Sequence, residues 1–420
     1  MTASLPDTSR DDALALIATC SRGLEPFVAR ELVALGLRDD APPRPEAYAP
    51  GAVTFRGRWP DVWRANLALR TANRVLVELA AGPADDADAL YRLAHRTAGG
   101  IRRWDDLPAG ALFDPDATLA VHASQRRGGD TGEGANPRWM ALKVKDGVVD
   151  AQRERFGRRA DVDRHDADRV LRIHVDGDRA TLLLDTSGAP LDRRGYRLSR
   201  TEAPLRETLA AACALAARDL GPSGGERFDP ACLFDPMCGT GTLLAEAAWL
   251  YGNRAPGLLR AAALQDGRGE GWAFTRLPNF DARAFDRLVD DLRDRVRSGG
   301  LPPIVGIDRD GQALRAASDN LARAGLDERA ELAQGSAFEV APPAASGLLL
   351  VNPPYGHRID MTEGEWRQLG DRLKRRFAGW RAVVIAGDEK RGGHIGLRPT
   401  RKLTVHNGPI KARILVFDLY

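Results

Sequence analysis

The front part of the chain shows short apolar runs with a period of two, which is typical of strands that bury one face. The run VLRIHVDGDRATLLLDTSG predicts a hairpin with Asp176-Gly177-Asp178 as its turn. Around it, apolar positions with a helical period predict amphipathic helices, as in RWMALKVKDGVVDAQRERFG. We expect two α+β modules here, over residues 1–60 and 61–190.

From residue 191 to residue 420 the pattern changes to strands that alternate with helices. The predicted strands are ACLFDPM, PIVGIDRD, AELAQG, SGLLLVNPP and RAVVIAG. This alternation predicts a parallel sheet covered by helices, in an α/β domain. Two final strands, RKLTVHNG and ARILVFDLY, predict an antiparallel hairpin that makes the sheet mixed.

Composition adds little about partners, because the net charge is only +3. The four cysteines are scattered without disulfide or metal spacing, so we expect a reduced, cytoplasmic protein without a metal. The polar N-terminus does not resemble a signal peptide, and the longest apolar run, LAAACALAA, is too short to span a bilayer.

The stretch LFDPMCGTGTLLAEAA predicts a buried strand, a glycine-rich loop and a helix in direct succession. Such a loop lets a ligand approach the backbone, and the helix N-terminus favours an anionic group. A dinucleotide-binding loop would have a third glycine, where this chain has Leu244. The candidate cofactor-binding residues of this loop are Asp235, Pro236, Cys238, Gly239, Thr240, Gly241 and Thr242.

A second carboxylate, Asp308, ends the predicted strand PIVGIDRD. A carboxylate at a strand end can accept hydrogen bonds from both ribose hydroxyls of a nucleoside. The alternative role for Asp308 is a helix N-cap, but Asp310 is better placed for that.

The stretches DPMCGTGTLLAEAA, GIDRD and NPPYG, in this order, resemble class I S-adenosylmethionine-dependent methyltransferases that act on exocyclic amino nitrogens. Upstream, LKVKDGVVDA, LDRRGYR and APLRETLAAA resemble the bacterial ribosomal RNA large subunit methyltransferase L family. The resemblance implies a ferredoxin-like module at 1–60, a THUMP RNA-binding domain at 61–190 and a Rossmann-like methyltransferase domain with a mixed seven-stranded sheet at 191–420. It also implies methylation of a guanine N2 in 23S rRNA with S-adenosyl-L-methionine.

By this resemblance the catalytic residues are Asn352, Pro353, Pro354 and Tyr355, and Asn352 also contacts the cofactor. The Asn352 side chain and the Pro353 carbonyl would accept the amino hydrogens of the base. The prolines would fix this backbone in advance, and Tyr355 would stack on the base. The alternative is a Pro-Pro loop with a surface tyrosine. His357, close by, fits a structural or RNA-contacting role better than that of a base.

Three features depart from the family. Ser336 stands where members usually carry an aspartate that contacts adenine, although a hydroxyl can also accept that hydrogen bond. Arg206 replaces the usual lysine. Many members carry a second methyltransferase domain after the first, and because this chain ends at Tyr420 we expect a single methylation.

Basic clusters, RRGYRLSR, RLKRRFAGWR and KRGGHIGLRPTRK, predict contact with RNA phosphates, with Tyr196, Phe377 and Trp380 available for stacking. The candidate RNA-binding residues are Lys143, Lys145, Arg194, Tyr196, Arg206, Arg375 and Arg376. The expected partner is 23S rRNA or a large-subunit assembly intermediate, and not DNA or a membrane. A tRNA guanine methyltransferase and a non-catalytic RNA-binding assembly factor stay open as alternatives.

Overall fold

The computed structural model describes residues 13–42, 45–100, 111–126, 136–197, 205–219, 227–269, 271–297, 299–354, 361–387, 389–408 and 410–420. Within these residues the strands form two sheets, which we call the front sheet and the rear sheet. None of the helices in these ranges combines the length and the apolar character needed to cross a bilayer.

The front sheet has the strand order β2-β1-β3-β6-β5-β4, and only the β4–β5 pair is parallel. Its strands are β1 (Leu14–Cys20), β2 (Ala52–Gly57), β3 (Ala72–Pro83), β4 (Leu119–Gln125), β5 (Arg169–Asp176) and β6 (Arg179–Asp185). Strands from both predicted front modules therefore belong to one continuous sheet. The boundary at residue 60 stays a prediction.

Four helices accompany the front sheet: α1 (Glu25–Ala34), α2 (Trp59–Ala68), α3 (Ala87–Gly99) and α4 (Pro137–Phe156). Helix α4 has local signals at both ends, since the Asn136 side chain caps its first turn and Gly157 ends it in a left-handed conformation. Its apolar stripe, Met140, Val144 and Val148, is buried as predicted.

The rear sheet has the order β12-β13-β11-β10-β7-β8-β9 among the described residues. Its strands are β7 (Leu233–Asp235), β8 (Ile304–Asp308), β9 (Ala330–Gln334), β10 (Gly347–Val351), β11 (Trp380–Ala386), β12 (Arg401–Asn407) and β13 (Ile410–Asp418). The first five are mutually parallel, and the β12–β13 hairpin pairs antiparallel to β11. The prediction of a mixed seven-stranded sheet is thus confirmed.

The helices of the rear half are α5 (Glu207–Asp219), α6 (Thr242–Tyr251), α7 (Leu258–Gln265), α8 (Ala282–Asp294), α9 (Gly311–Arg323), α10 (Glu363–Arg376) and α11 (Glu389–His394). Short 3-10 helices lie at Pro45–Ala47, Ala111–Phe113, Ala273–Arg276 and Asp327–Arg329. Helices α7 and α8 belong to the long insert between α6 and β8, for which the sequence pattern gave no prediction.

An aromatic cluster joins this insert to the front half. The indole of Trp63, on α2, meets Phe280 at a ring-centroid distance of 5.6 Å and Phe285, on α8, at 6.4 Å. Phe274 and Trp272 complete the cluster and are almost fully buried. Such aromatic contacts bury large apolar areas, so the two halves are packed firmly against each other.

A buried ion pair fixes the linker between the halves. The Arg194 guanidinium donates to the Glu246 carboxylate of α6 at 3.2 Å and to the Leu191 carbonyl at 2.6 Å. Tyr196, which is fully buried, donates its hydroxyl to the same carboxylate at 3.2 Å. The predicted RNA contacts of Arg194 and Tyr196 are therefore wrong, because both side chains are inside the molecule.

We expect Arg194→Ala to lower the free energy of unfolding by about 3–5 kcal/mol, because it leaves the Glu246 carboxylate buried without its counterion. Chemical denaturation would measure this. The exposed neighbour supplies the control, since Arg193→Ala should change the free energy of unfolding by less than about 0.5 kcal/mol. Equal stabilities of the two variants would contradict a structural role for Arg194.

Candidate active site

Three neighbouring strands of the rear sheet end in polar residues. Strand β7 lies between β10 and β8, and the three run parallel, so their carboxyl ends share one edge of the sheet. Asp235 ends β7, Asp308 ends β8, and Asn352 directly follows β10. After β7 the chain adds β8 on one side of it, and it later adds β10 on the other side. Ligands of open α/β sheets bind at such a switch point.

The glycine-rich loop after β7 is tied to β8 by backbone hydrogen bonds. The Cys238 amide donates to the Ile307 carbonyl at 2.9 Å, and the Gly239 amide donates to the Asp308 carboxylate at 2.8 Å. Gly306 makes this close approach possible, since a Cβ there would lie 3.1 Å from the Cys238 sulfur and 2.6 Å from a Leu332 methyl. Asp308 thus shapes the loop in addition to facing the site.

Helix α6 begins immediately after this loop, with Gly241 as its N-cap in the left-handed region at φ +78°. Arg197 reaches this helix start from the linker. Its guanidinium donates to the Thr242 hydroxyl and the Leu205 carbonyl, both at 2.9 Å, and forms an ion pair with Glu207. The first turn of α6 is consequently held from the side of the linker.

The loop and the three strand ends enclose a cavity of about 300 Å³. This volume lies at the lower end of the range for small-molecule sites, about 300–1,000 Å³. The residues in its wall are Leu205, Asp235, Pro236, Met237, Cys238, Gly239, Thr240, Thr242, Leu243, Asp308, Arg309, Ala313, Gly335, Ala337, Asn352 and Pro354. The candidate catalytic asparagine and the candidate cofactor loop therefore face the same space.

Asn352 presents an unsatisfied acceptor in this wall. Its side-chain oxygen Oδ1 is buried and has no hydrogen-bond partner among the residues that the structure describes. A buried polar atom without a partner costs about 1–3 kcal/mol, so native proteins rarely keep one. An amide oxygen in a cavity wall is suited to accept an N–H group from a bound ligand.

The charges in the wall favour a cationic ligand over a polyphosphate. Two carboxylates, Asp235 and Asp308, face one guanidinium, Arg309, within the described lining. Burial, and then the nearby Asp308 charge, raise the pKa of Asp235 well above its ordinary value, so its ionised form is disfavoured unless a positive charge lies beside it. Burial likewise raises the pKa of the Cys238 thiol, which makes this cysteine unsuited to nucleophilic catalysis.

These features fit S-adenosylmethionine. Asp308 retains free lone pairs for ribose hydroxyls, the backbone at Gly239 leaves open space where a Cβ would stand, and the carboxylates suit an ammonium and a sulfonium. The residues that would hold the cofactor are thus the loop 235–242 and Asp308.

Some predicted site residues do not line the cavity. The Ser336 hydroxyl accepts a hydrogen bond from the Phe338 amide at 3.3 Å. Its two neighbours, Gly335 and Ala337, line the cavity, whereas Ser336 does not. Gly241 and Pro353 adjoin wall residues without lining the cavity themselves. Their roles, including the adenine contact of Ser336, stay predictions. Tyr355 and His357 lie outside the described residues.

Of the remaining RNA-binding candidates, Arg206, Arg375 and Arg376 are exposed, and Lys143 and Lys145 are half-buried on α4 near Asp88 and Asp146. Their contacts with RNA stay predictions. The stacking role expected of Phe377 and Trp380 is wrong, because both rings are buried beneath the rear sheet.

Sequence reasoning missed several wall residues, notably Leu205, Arg309 and Arg197 behind Thr242. Arg309 could have been found, since it directly follows Asp308 at the strand end. No local signal marks Leu205 or Arg197, because both reach the site only through the fold of the linker.

Family models match along most of the chain. An RMKL-like methyltransferase domain matches residues 194–415, which is more than half of the chain. An RlmL ferredoxin-like domain matches residues 15–76, and a THUMP domain matches residues 104–185. The chain belongs to the RMKL-like methyltransferase family. The predicted family resemblance is confirmed, and membership supports S-adenosylmethionine as the cofactor.

Curated relatives agree with this membership. The chain is 38% identical to a ribosomal RNA large subunit methyltransferase K/L of Syntrophotalea carbinolica, over 97% of this chain and 54% of the relative. It is 34% identical to a putative RNA methyltransferase of Synechocystis sp., over 99% of this chain and 100% of the relative. The chain thus spans about half the length of the K/L relatives that it matches.

The fold is also that of a solved structure, a possible methylase from Clostridium difficile 630. The TM-score is 0.79 at 23% identity, with 97% of this chain and 98% of the other covered. The two front domains and the rear domain therefore occur together in a known fold.

We expect Asp308→Ala to weaken cofactor binding about tenfold or more. The variant loses a charged acceptor, worth about 1.5–3 kcal/mol, and also the anchor of the Gly239 amide. Calorimetry with S-adenosylhomocysteine would measure the affinity.

Asp310→Ala is the matched control, because this nearby carboxylate only caps α9 through the Gln312 amide. It should cost about 1 kcal/mol of stability and leave the cofactor affinity unchanged. Equal affinities of the Asp308 and Asp310 variants would remove Asp308 from the site.

Proposed function

We propose that the protein transfers a methyl group from S-adenosylmethionine to the exocyclic N2 of a guanine in 23S rRNA. One observation carries this proposal: the Asn352 side-chain oxygen, which has no hydrogen-bond partner among the described residues, lies in the same cavity wall as the glycine-rich loop. The names of the K/L relatives support ribosomal RNA as the substrate class.

Methyl transfer to the N2 amino group requires hydrogen-bond acceptors more than it requires a general base. The N2 lone pair of guanine is delocalised into the ring, so the amino group must be oriented before it can react. Asn352 Oδ1 would accept one amino hydrogen, and the Pro353 carbonyl would accept the other. Positive charge that develops on the nitrogen is then stabilised by fixed dipoles, and the proton can leave to water afterwards. When bound, the cofactor supplies an activated methyl group on a sulfonium.

The stiffness of this segment supports the same role. Pro353 and Pro354 fix the backbone φ angles after Asn352, and Pro353 is buried beneath the cavity wall. An acceptor pair held in this way needs little reorganisation during the reaction. Tyr355 would offer a ring on which the displaced base stacks.

The RNA would be bound by the THUMP-containing front half and by exposed basic residues, namely Lys143, Lys145, Arg206, Arg375 and Arg376. The substrate is 23S rRNA, free or within a large-subunit assembly intermediate, and the protein acts in the cytoplasm. The buried, unpaired cysteines are compatible with that reducing compartment.

Asn352→Ala should lower kcat by about 10²–10³-fold, the usual loss when a preorganised polar group is removed from a transition state. Methyl transfer under saturating substrates would measure kcat, and calorimetry should show that cofactor binding survives. Asn352→Asp retains an acceptor oxygen and should keep more activity than the alanine variant. Unchanged turnover in Asn352→Ala would refute the acceptor role.

Labelled cofactor and separated pools of 23S rRNA, 16S rRNA and tRNA, all from a strain that lacks the protein, would test the substrate. We expect label only in 23S rRNA, as N2-methylguanosine in nucleoside mass spectrometry. A 23S fragment carrying inosine at the mapped position should accept no label, because inosine lacks the amino group. Label in tRNA or in methyladenosine would overturn the proposal.

A further inference from the structure

A second, larger cavity of about 1170 Å³ lies between the front sheet and the rear half. We call it the interdomain cleft. One wall is the front sheet, at residues such as Leu76, Arg172 and Thr181. The other is formed by the linker around Arg193, the start of α5 around Arg206, and the turn of the β12–β13 hairpin at 407–408.

Strand alternation turns the residues of this face of the front sheet away from helix α4. On β5, Leu171 and Ile173 point into the apolar core that contains the α4 stripe. The residues next to them, Arg172 and His174, consequently face the opposite side, into the cleft. Helix α4 therefore lies behind the sheet as seen from the cleft.

The cleft is basic. Among the described residues its wall carries six arginines against two carboxylates, Asp192 and Glu207. Arg194 is buried and paired with Glu246, and Arg197 is paired with Glu207, so the positive charge offered to a ligand comes from the other four arginines. Arg74 and Arg172 share one buried carboxylate, Asp185, at 2.6 and 2.8 Å, so their guanidinium groups are fixed in position. A polyanion is the ligand that such a wall attracts.

Two further arginines of the wall are available to a ligand. Arg193 and Arg206 are exposed and form no ion pair with any residue that the structure describes. They stand on the rear side of the cleft, opposite Arg172 on the front sheet. A bound chain would thus meet cations on both sides.

The cleft also adjoins the candidate active site, since Leu205 lines both cavities. A chain bound in the cleft would pass directly beside the pocket that contains Asn352. Among the described residues of the cleft wall, the one aromatic ring is the imidazole of His174, so base stacking on rings can supply only a small part of the binding energy there. Contacts with phosphates must supply the rest, which makes binding tolerant of sequence.

We propose that the interdomain cleft holds the substrate RNA as a single strand, through phosphate contacts from Arg172, Arg193 and Arg206, and feeds one nucleotide past Leu205. This inference rests on the proposed function. A domain that reads double-stranded RNA spans about 16 base pairs. The cleft is only slightly larger than small-molecule sites, so it suits a few nucleotides of one strand.

Salt dependence of RNA binding tests the contacts. For single strands, log K falls against log salt with a slope of about −0.7 per phosphate contact. Arg193→Gln/Arg206→Gln should therefore bind a labelled single-stranded RNA oligonucleotide more weakly and reduce the slope by about 1.4. The control, Arg287→Gln, removes an exposed arginine from α8, which is neither in the described cleft wall nor among the RNA-binding candidates, and should change neither quantity. An unchanged slope in the double variant, or an equal loss in the control, would overturn the proposal.

Site-directed crosslinking tests the location. The native cysteines Cys20, Cys213, Cys232 and Cys238 are buried, so an introduced cysteine can be labelled selectively. A photoreactive group on Thr181→Cys, in the cleft, should crosslink the same RNA. The group on Arg283→Cys, exposed on α8 and outside the described cleft wall, should do so much less. Equal or stronger crosslinking from position 283 would exclude the cleft as the main path.

Both experiments measure binding without methyl transfer. If the protein methylates another base or another RNA, the proposed function fails while these results still stand. Conversely, if guanine methylation is found but the double variant binds and crosslinks like the unaltered protein, only the cleft proposal fails.

Discussion

The parallel pairing of β10, β7 and β8 is the constraint on which the candidate site depends. These strands are distant in sequence, and only their register brings Asn352, Asp235 and Asp308 to one edge of the rear sheet. A backbone shift at any of the three would separate the unsatisfied acceptor from the glycine-rich loop. The Asp308 carboxylate then couples this loop to the sheet by accepting a hydrogen bond from the Gly239 amide, so the cavity depends on the strand register and on this side chain.

A second constraint comes from the front half. Helix α6 carries the cofactor loop at its N-terminus, and Arg70, from the end of the α2 region, donates to the Arg254 carbonyl beyond its other end at 2.6 Å. Arg194 pairs with Glu246 in the middle of the helix, and Arg197 holds its first turn. Cations near a helix C-terminus are favourable, and buried pairs fix position more than they add stability. The front half thus supports helix α6, which follows the candidate cofactor loop.

The sequence allowed prediction of what is local. The strands of the rear sheet, the hairpin that turns at Gly177-Asp178 and the residues of the strand ends follow from periodicity and turn chemistry, and the structure has them. It did not allow prediction of which arginines are buried, because Arg193 and Arg194 are adjacent and chemically identical. Only the approach of α6, with Glu246 at its centre, makes one a structural counterion and leaves the other in solvent. The same limit explains Tyr196 and Trp380, whose aromatic rings belong to the core.

The two cavities meet at Leu205, directly before helix α5. The position of this helix therefore affects how a base could reach Asn352. Helix α5 begins at Glu207 and is buried from there to Ala217. Its first residue is paired with Arg197, and its last turn accepts a hydrogen bond from the Arg381 guanidinium at 2.7 Å. A helix fixed at both ends and buried along its length cannot swing aside without exposing its apolar surface. If the proposed function holds, α5 therefore stays in place and the base of the substrate would have to leave its stack to reach Asn352.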